Sequence, residues 1–302
     1  MSVSGGPLGL AAPALPGFEQ FAFASGGFSH LVYHAGDPGY PPLLLMPEIA
    51  GMSPGLVLFA RRLVQSRFRV FIPWLFGPFQ QRAPLRNAIK LCVSREFANL
   101  RAGVSAPVTH WLRALAGHIS ECNGGSRVGA IGMCLTGAFA IPLVIDPQVV
   151  AAVAAQPSVP LSPLFAWLGV GRGAWMHELN IGDDDIAKVR ARLDSGQAKL
   201  LAVRCHADRI CPHEKLQRLQ KEFPAGLETR EYGDAHSRNR LGDRPHATFT
   251  KEYRLEPEAS DDHHSRQAYA DLLAFFDRHL SRHPREGGDL SQSATARPVS
   301  FP

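Results

Sequence analysis

Short apolar runs separated by longer stretches of helical periodicity restrict the architecture of this chain more than any other feature. The runs "FEQFAFA", "SHLVYHAG", "PLLLMPE", "FRVFIPW", "RVGAIGM", "QVVAAVAAQP", "KLLAVRCH" and "LETREYG" read as strands. Between most of them lie helical patterns, at Gly55–Ser66, Pro107–Cys122, Leu135–Ile145 and Asp184–Ser195. Apolar strands alternating with amphipathic helices imply βαβ units, hence an α/β protein with a mostly parallel central sheet and helices on both faces. The first two runs are joined by a Gly-containing turn and are expected to pair antiparallel at the entrance to that sheet.

The chain has 302 residues, which fits one large α/β domain or two small ones. A last helical pattern, "SRQAYADLLAFFDRHL", closes the periodic part, and no internal repeat interrupts it. We therefore expect one domain over residues 1–283, with 1–17 as a flexible lead-in. Residues 284–302, "REGGDLSQSATARPVSFP" preceded by Pro284, are polar and Pro/Gly/Ser-rich, the composition of a disordered tail. Ser158–Leu179 is Pro/Gly-rich with two tryptophans and is expected to cross the sheet edge irregularly, as part of a pocket wall.

Charge and cysteines narrow the function classes. The net charge is +5, but basic residues are scattered among acidic ones without aromatic interleaving, so no nucleic-acid partner is expected. The start lacks the pattern of a secretory signal and no run is long enough to span a bilayer, so no membrane association is expected. The five cysteines (Cys92, Cys122, Cys134, Cys205, Cys211) lack framework spacing, which fits reduced thiols in the cytoplasm. Nothing identifies a protein partner.

Three residue types with acyl-transfer chemistry fall just past strand ends, where open parallel sheets bind ligands. Cys134 lies in "GMCLTG", between the strand Arg127–Met133 and a helix that opens at Leu135. That is the strand–turn–helix context of a nucleophile elbow, with cysteine in the serine position. Gly132 supplies the small residue the tight turn needs; Thr136 suits it less, and Gly137 follows. A helix N-terminus favours thiolate, and the N–H of Leu135 would face a developing oxyanion. An inert buried thiol fits the same hexapeptide. Asp208, in "LLAVRCHADRICP", stands where an acid would orient a histidine, although aspartate is also a common turn residue. A metal site from Cys205, His206, Asp208, Cys211 and His213 is disfavoured, because paired C-x-x-C spacing is missing and alternate strand residues face opposite ways. After the last strand, His236 and His246 both preserve the order nucleophile, acid, base.

Together these residues resemble the dienelactone hydrolase family of α/β-hydrolases. "GMCLTG" is similar to the family elbow G-x-C-x-G-G except at Thr136, and "HADRICP" is similar to its G-x-x-D-x-x-V/I-P acid segment. "PEIAGM" matches the segment after the third strand, so the resemblance implies that Glu48 interacts with the resting thiol and helps generate thiolate. By the same match, the N–H of Ile49 joins that of Leu135 as the oxyanion hole. A longer subset of the family carries equivalents of "CVSREF", "AQPSVP" and "HATFT", which makes His246 the expected base; His236, in "YGDAHS", resembles the shorter members' histidine and remains an alternative. The resemblance implies an α/β-hydrolase fold and hydrolysis of small esters or lactones through a Cys134–His246–Asp208 triad and a thioester acyl-enzyme, without a cofactor or metal. A broader carboxylesterase or thioesterase on the same triad, and a non-catalytic binding protein of the same fold, are the other readings. Arg82, Arg95 and Arg209 are candidates for holding a substrate carboxylate. Trp74 and Trp175 are candidates for lining the pocket, though each such residue is also ordinary surface or core.

Overall fold

The computed structural model describes residues 13–77, 79, 105–158, 172–233, 246–250 and 264–280. Eight described strands form one sheet: β1 (Glu19–Ser25), β2 (Phe28–Ala35), β3 (Pro42–Met46), β4 (Arg69–Pro73), β5 (Val128–Met133), β6 (Val149–Ala155), β7 (Lys199–Cys205) and β8 (Leu227–Tyr232). Their spatial order is β1-β2-β4-β3-β5-β6-β7-β8. The pairs β1–β2 and β2–β4 are antiparallel and all the others parallel, so the two leading runs do form the antiparallel entrance.

The described helices are α1 (Pro54–Gln65), α2 (Pro107–Cys122), α3 (Leu135–Leu143), α4 (Arg172–His177), α5 (Asp183–Asp194), α6 (His213–Glu222) and α7 (His264–Leu280). They cover both faces of the sheet. In β3, Leu44 and Met46 join a core with Leu112 of α2, Phe139 of α3 and Val189 of α5, whereas Leu43 and Leu45 join one with Phe59 of α1 and Phe275 of α7. Alternation by two along a strand puts successive side chains on opposite faces, so a strand buried on both sides reads as a continuous apolar run. Close helix packing needs space at β5, where a Cβ on Gly129 would lie 2.4 Å from Leu43 Cδ2 and 2.8 Å from Leu280 Cδ1 and Phe276 Cε1. The arrangement is the α/β-hydrolase fold.

Several elements differ from expectation. The helix predicted over Leu135–Ile145 ends at Leu143, where Pro142 occupies its last turn and supplies no N–H to prolong the ladder. Helix α6 escaped the sequence reading because it is mostly polar, with only Leu216, Leu219 and the stem of Lys215 turned into the protein. Part of the stretch expected to be irregular, residues 172–177, is helical. At the start of the described chain, Leu15 is buried and the Tyr33 hydroxyl donates to Pro13 O at 2.9 Å. Residues 13–17 therefore lie against the sheet rather than leading loosely into it. Residues 1–12 and the expected tail lie outside the described residues. No described helix is long and apolar enough to cross a membrane.

Candidate active site

The centre of the site is the turn between β5 and α3. Cys134 has φ 55° and ψ −120°, a conformation that strains any residue with a Cβ. Neighbouring backbone holds it there: Cys134 N donates to Ala155 O at 2.9 Å, and Cys134 O accepts from Gly137 N at 3.0 Å and Ser158 N at 3.1 Å. A Cβ at position 132 would sit 2.0 Å from Thr136 O, so only glycine fits. Thr136, which departs from the small-residue pattern, is accommodated through its hydroxyl. Its Oγ1 accepts from Met133 N at 2.9 Å and lies 3.0 Å from Pro47 O, 3.0 Å from Met133 O and 3.2 Å from Met46 O. The side chain thus joins the turn to the end of β3. Cys134 itself is 8% exposed, between the fully buried thiols and the surface.

Asp208 follows β7 in a loop that the chain clamps from beneath. Its Oδ1 accepts from Ile210 N at 2.8 Å and Cys211 N at 3.0 Å, while Oδ2 lies 2.7 Å from His246 Nδ1. Arg204, buried at the end of β7, donates to Cys211 O at 2.8 Å, His206 O at 3.0 Å and Asp208 O at 3.1 Å, and pairs with Glu231. The bonds to Asp208 from backbone N–H groups fix one carboxylate oxygen and leave the other for the imidazole.

His246 stands in the segment 246–250, which is held by its own neighbours. Phe249 stacks on Phe59 of α1 with ring centroids 5.2 Å apart, and Arg62 donates to Phe249 O at 2.7 Å. The outer nitrogen of the imidazole, Nε2, is buried, and the Cys134 side chain interacts with the ring. Burial disfavours the charged ring, but the nearby Cys134 sulfur and the Asp208 carboxylate outweigh it and hold the His246 imidazolium well above its ordinary value. A histidine in this setting accepts a proton readily.

Glu48 lies just beyond β3, and its Oε1 accepts from Thr250 Oγ1 at 3.0 Å and from Gln156 Nε2 at 3.4 Å. Ile49 is partly buried against the same core as Leu135, and Leu135 opens α3 where first-turn N–H groups have no intrahelical acceptor. Of the expected site residues, the structure brings Cys134, Asp208, His246, Glu48, Ile49 and Leu135 to one edge of the sheet, the carboxyl ends of its parallel strands. Trp74 donates from Nε1 to Gly77 O at 2.9 Å and packs edge-on against Phe79, whereas Arg209 is exposed. Trp175 lies under the Lys215 ammonium, 5.0 Å from its ring centroid. Arg82, Arg95 and His236 lie outside the described residues. The described cysteines are all free, and no cluster of three or more His, Cys, Asp or Glu suited to a metal occurs among the described residues. His206 and His213 instead face Glu231, at 3.5 and 2.7 Å. Sequence reasoning missed Arg204, Gln156 and Thr250, whose roles come from contacts that no local motif announces.

A sequence model of the dienelactone hydrolase family matches residues 28–279. The chain belongs to the dienelactone hydrolase family. It is a hydrolase of that family by this match, which spans every described site residue. Solved structures with the same fold include a dienelactone hydrolase-like protein of Klebsiella pneumoniae subsp. pneumoniae, at 18% identity and TM-score 0.58, covering 86% of this chain and 97% of that one. A dienelactone hydrolase-like promiscuous phosphotriesterase from metagenomic libraries has 15% identity and TM-score 0.54, covering 85% and 97% of the two chains. The dienelactone hydrolase of Anabaena variabilis has 13% identity and TM-score 0.54, covering 88% and 99%. At these identities the structural likeness establishes the fold alone. No curated protein matches the chain.

Proposed function

We propose that this family member hydrolyses small carboxylic esters or lactones, with Cys134 as nucleophile, His246 as base and Asp208 as the acid that orients it. The observation that carries the reading is the 2.7 Å contact between Asp208 Oδ2 and His246 Nδ1, which directs the buried Nε2 toward the strained turn of Cys134. His246 takes the thiol proton, and the sulfur attacks the ester carbonyl to give a tetrahedral oxyanion. The N–H groups of Ile49 and Leu135 receive that charge, and removal of one such donor typically costs on the order of a hundredfold in rate. Collapse expels the alcohol, which takes its proton from His246, and leaves a thioester. Water, deprotonated by His246, attacks the thioester and releases the carboxylic acid and the thiol. Glu48 acts on the thiol from the β3 side. Free thiols and an odd cysteine count support a reducing compartment, the cytoplasm.

His246 is preferred over His236 as base because its contact with Asp208 is in place. Cys134→Ala is expected to abolish hydrolysis of an activated aryl ester with unchanged circular dichroism; retained turnover would refute the mechanism. His246→Ala is expected to lose at least a hundredfold in kcat, within the usual range for a general base, with His236→Ala near wild type. The substrate panel includes lactones, dienelactone, thioesters and a phosphotriester, the last because a fold relative is a phosphotriesterase. Inactivity across the panel would favour the binding-protein reading.

A further inference from the structure

Arg204 stands where the alternation of β7 calls for an apolar side chain. Leu200 and Ala202 lie on one face of the strand, in the core with α2, α3 and α5, and Leu201 and Val203 lie on the other. Arg204 is the next residue on the first face, at the carboxyl end of the strand, and its side chain is only 4% exposed. A guanidinium at such a depth is tolerated only where its N–H groups find acceptors. Here they do. Nε donates to Cys211 O at 2.8 Å, Nη2 donates to His206 O at 3.0 Å and Asp208 O at 3.1 Å, and Nη1 meets Glu231, its register partner on β8. Apart from Glu231, every one of these acceptors is a backbone carbonyl of one loop, 206–211, which carries Asp208. Ser158 holds the same loop from another side. Its Oγ donates to Ile210 O at 2.5 Å and its backbone N–H to Cys134 O at 3.1 Å, so the loop is tied to the elbow as well as to β7.

We propose that Arg204 is a positioning residue: by gathering the carbonyls of His206, Asp208 and Cys211 onto one guanidinium, it holds the acid loop so that Asp208 Oδ2 meets the His246 imidazole. The inference rests on the reading of Asp208 as the acid of the triad. Asp208 Oδ1 accepts from Ile210 N and Cys211 N, which fixes the carboxylate relative to its own loop but not relative to the sheet. His246 arrives on a separate segment, fastened to α1 through Phe249. The 2.7 Å contact between the two therefore depends on how the loop sits against the strands. Backbone bonds anchor its first half, from His206 N to Tyr232 O and from Asp208 N to Cys205 O, both at 3.0 Å. Its second half is joined through Arg204 at Cys211 O and through Ser158 at Ile210 O. The side chains of His206 and His213 reach Glu231 rather than the loop carbonyls, so they lie outside this clamp. A planar fork spreads its donors over three carbonyls at once, which a lysine ammonium, a single point of charge, does not reproduce. A tilt of the loop would lengthen the Asp208–His246 contact and weaken the hold on the imidazolium that lets Cys134 ionise.

The test measures alkylation of Cys134 by iodoacetamide as a function of pH, resolved by peptide mass spectrometry from the exposed Cys122, in wild type, Arg204→Lys, Asp208→Asn and the double variant. Circular dichroism checks the fold of each. Where the lysine variant does not fold, Arg204→Met combined with Glu231→Gln takes its place, because it removes the buried charge and its partner together. Arg204→Lys is expected to lower the alkylation rate near neutrality by about tenfold, the effect of one unit in a proton equilibrium. The kcat for an aryl ester should fall alongside it, with KM within twofold. Asp208→Asn is expected to lose at least as much. Adding Arg204→Lys to it should cost less than twofold more, since a guanidinium that acts through Asp208 then has no carboxylate left to align. A double variant at the product of the two losses would mark a purely structural role and overturn the proposal. So would an Arg204→Lys rate within twofold of wild type while Asp208→Asn is slow. An alkylation rate that Asp208→Asn leaves unchanged would refute the triad itself and the clamp with it, and because alkylation needs no substrate that outcome is read without ester turnover.

Discussion

Thr136 shows how one side chain can depart from a motif and still serve it. The elbow needs a residue whose backbone comes close to Gly132, and the methyl and hydroxyl of threonine fit because Oγ1 replaces backbone partners that the turn would otherwise leave unmet. Thr136→Val keeps the shape and removes those bonds, so Met133 N–H and Pro47 O are left buried and unpaired. A loss of about 1–3 kcal/mol is expected, with Thr136→Ser recovering most of it, measured by denaturant unfolding. At this scale the sequence was legible where chemistry is local: Cys134 and Asp208 each sit in a short segment whose neighbours declare the turn. At His246 spacing alone left two histidines after β8, and only the resemblance of "HATFT" favoured His246. Gln156 and Arg204 were hidden for another reason. Each looks like an ordinary strand-end residue until a partner 108 positions away, or a buried loop seven positions on, is folded against it.

Helix α6 and the loop before it form a unit whose stability is tied to one amine. Lys215 is buried on α6, and Nζ donates to Trp175 O at 2.9 Å and Glu178 O at 2.6 Å, fastening the end of α4 to the acid loop's helix. Burial lowers its pKa to about 8. A folded value below that of the unfolded chain means that the unfolded state holds its proton longer, so the penalty is complete below pH 8 and is relieved as pH rises toward 10.5. Relative to Lys215→Met, the wild-type protein is therefore expected to gain up to about 3 kcal/mol between pH 7.5 and 10.5, checked by urea titrations at several pH values. A constant difference across that window would show that the amine is not desolvated in solution. The helix escaped sequence reading because its buried face is partly this lysine, a residue whose charge hides its long apolar stem. The acid loop itself was legible, but the buried Arg204 that gathers its carbonyls was not, because arginine after an apolar strand reads as solvated surface.

Across the whole molecule, the alternation of strands and helices was enough to give the class, the parallel core and the antiparallel entrance. The β1-β2-β4-β3-β5-β6-β7-β8 order needed the structure, since adjacency of β3 to β5 is not written in any local segment. The site inherits that non-local character: the bond between Thr250 and Glu48 joins residues 202 positions apart, and Asp208 to His246 spans 38. Contacts of long sequence separation form late, because loop closure must precede them. Ester turnover should therefore lag behind recovery of helical circular dichroism when the denatured protein is diluted into buffer, a comparison that stopped-flow measurements can make. Simultaneous recovery would mean that the site forms with the helices. The same contact sets a minimum for synthesis. A chain emerging from the ribosome displays Cys134 just over a hundred residues before the histidine and threonine that complete its surroundings, so under the proposed mechanism its sulfur passes through production unarmed.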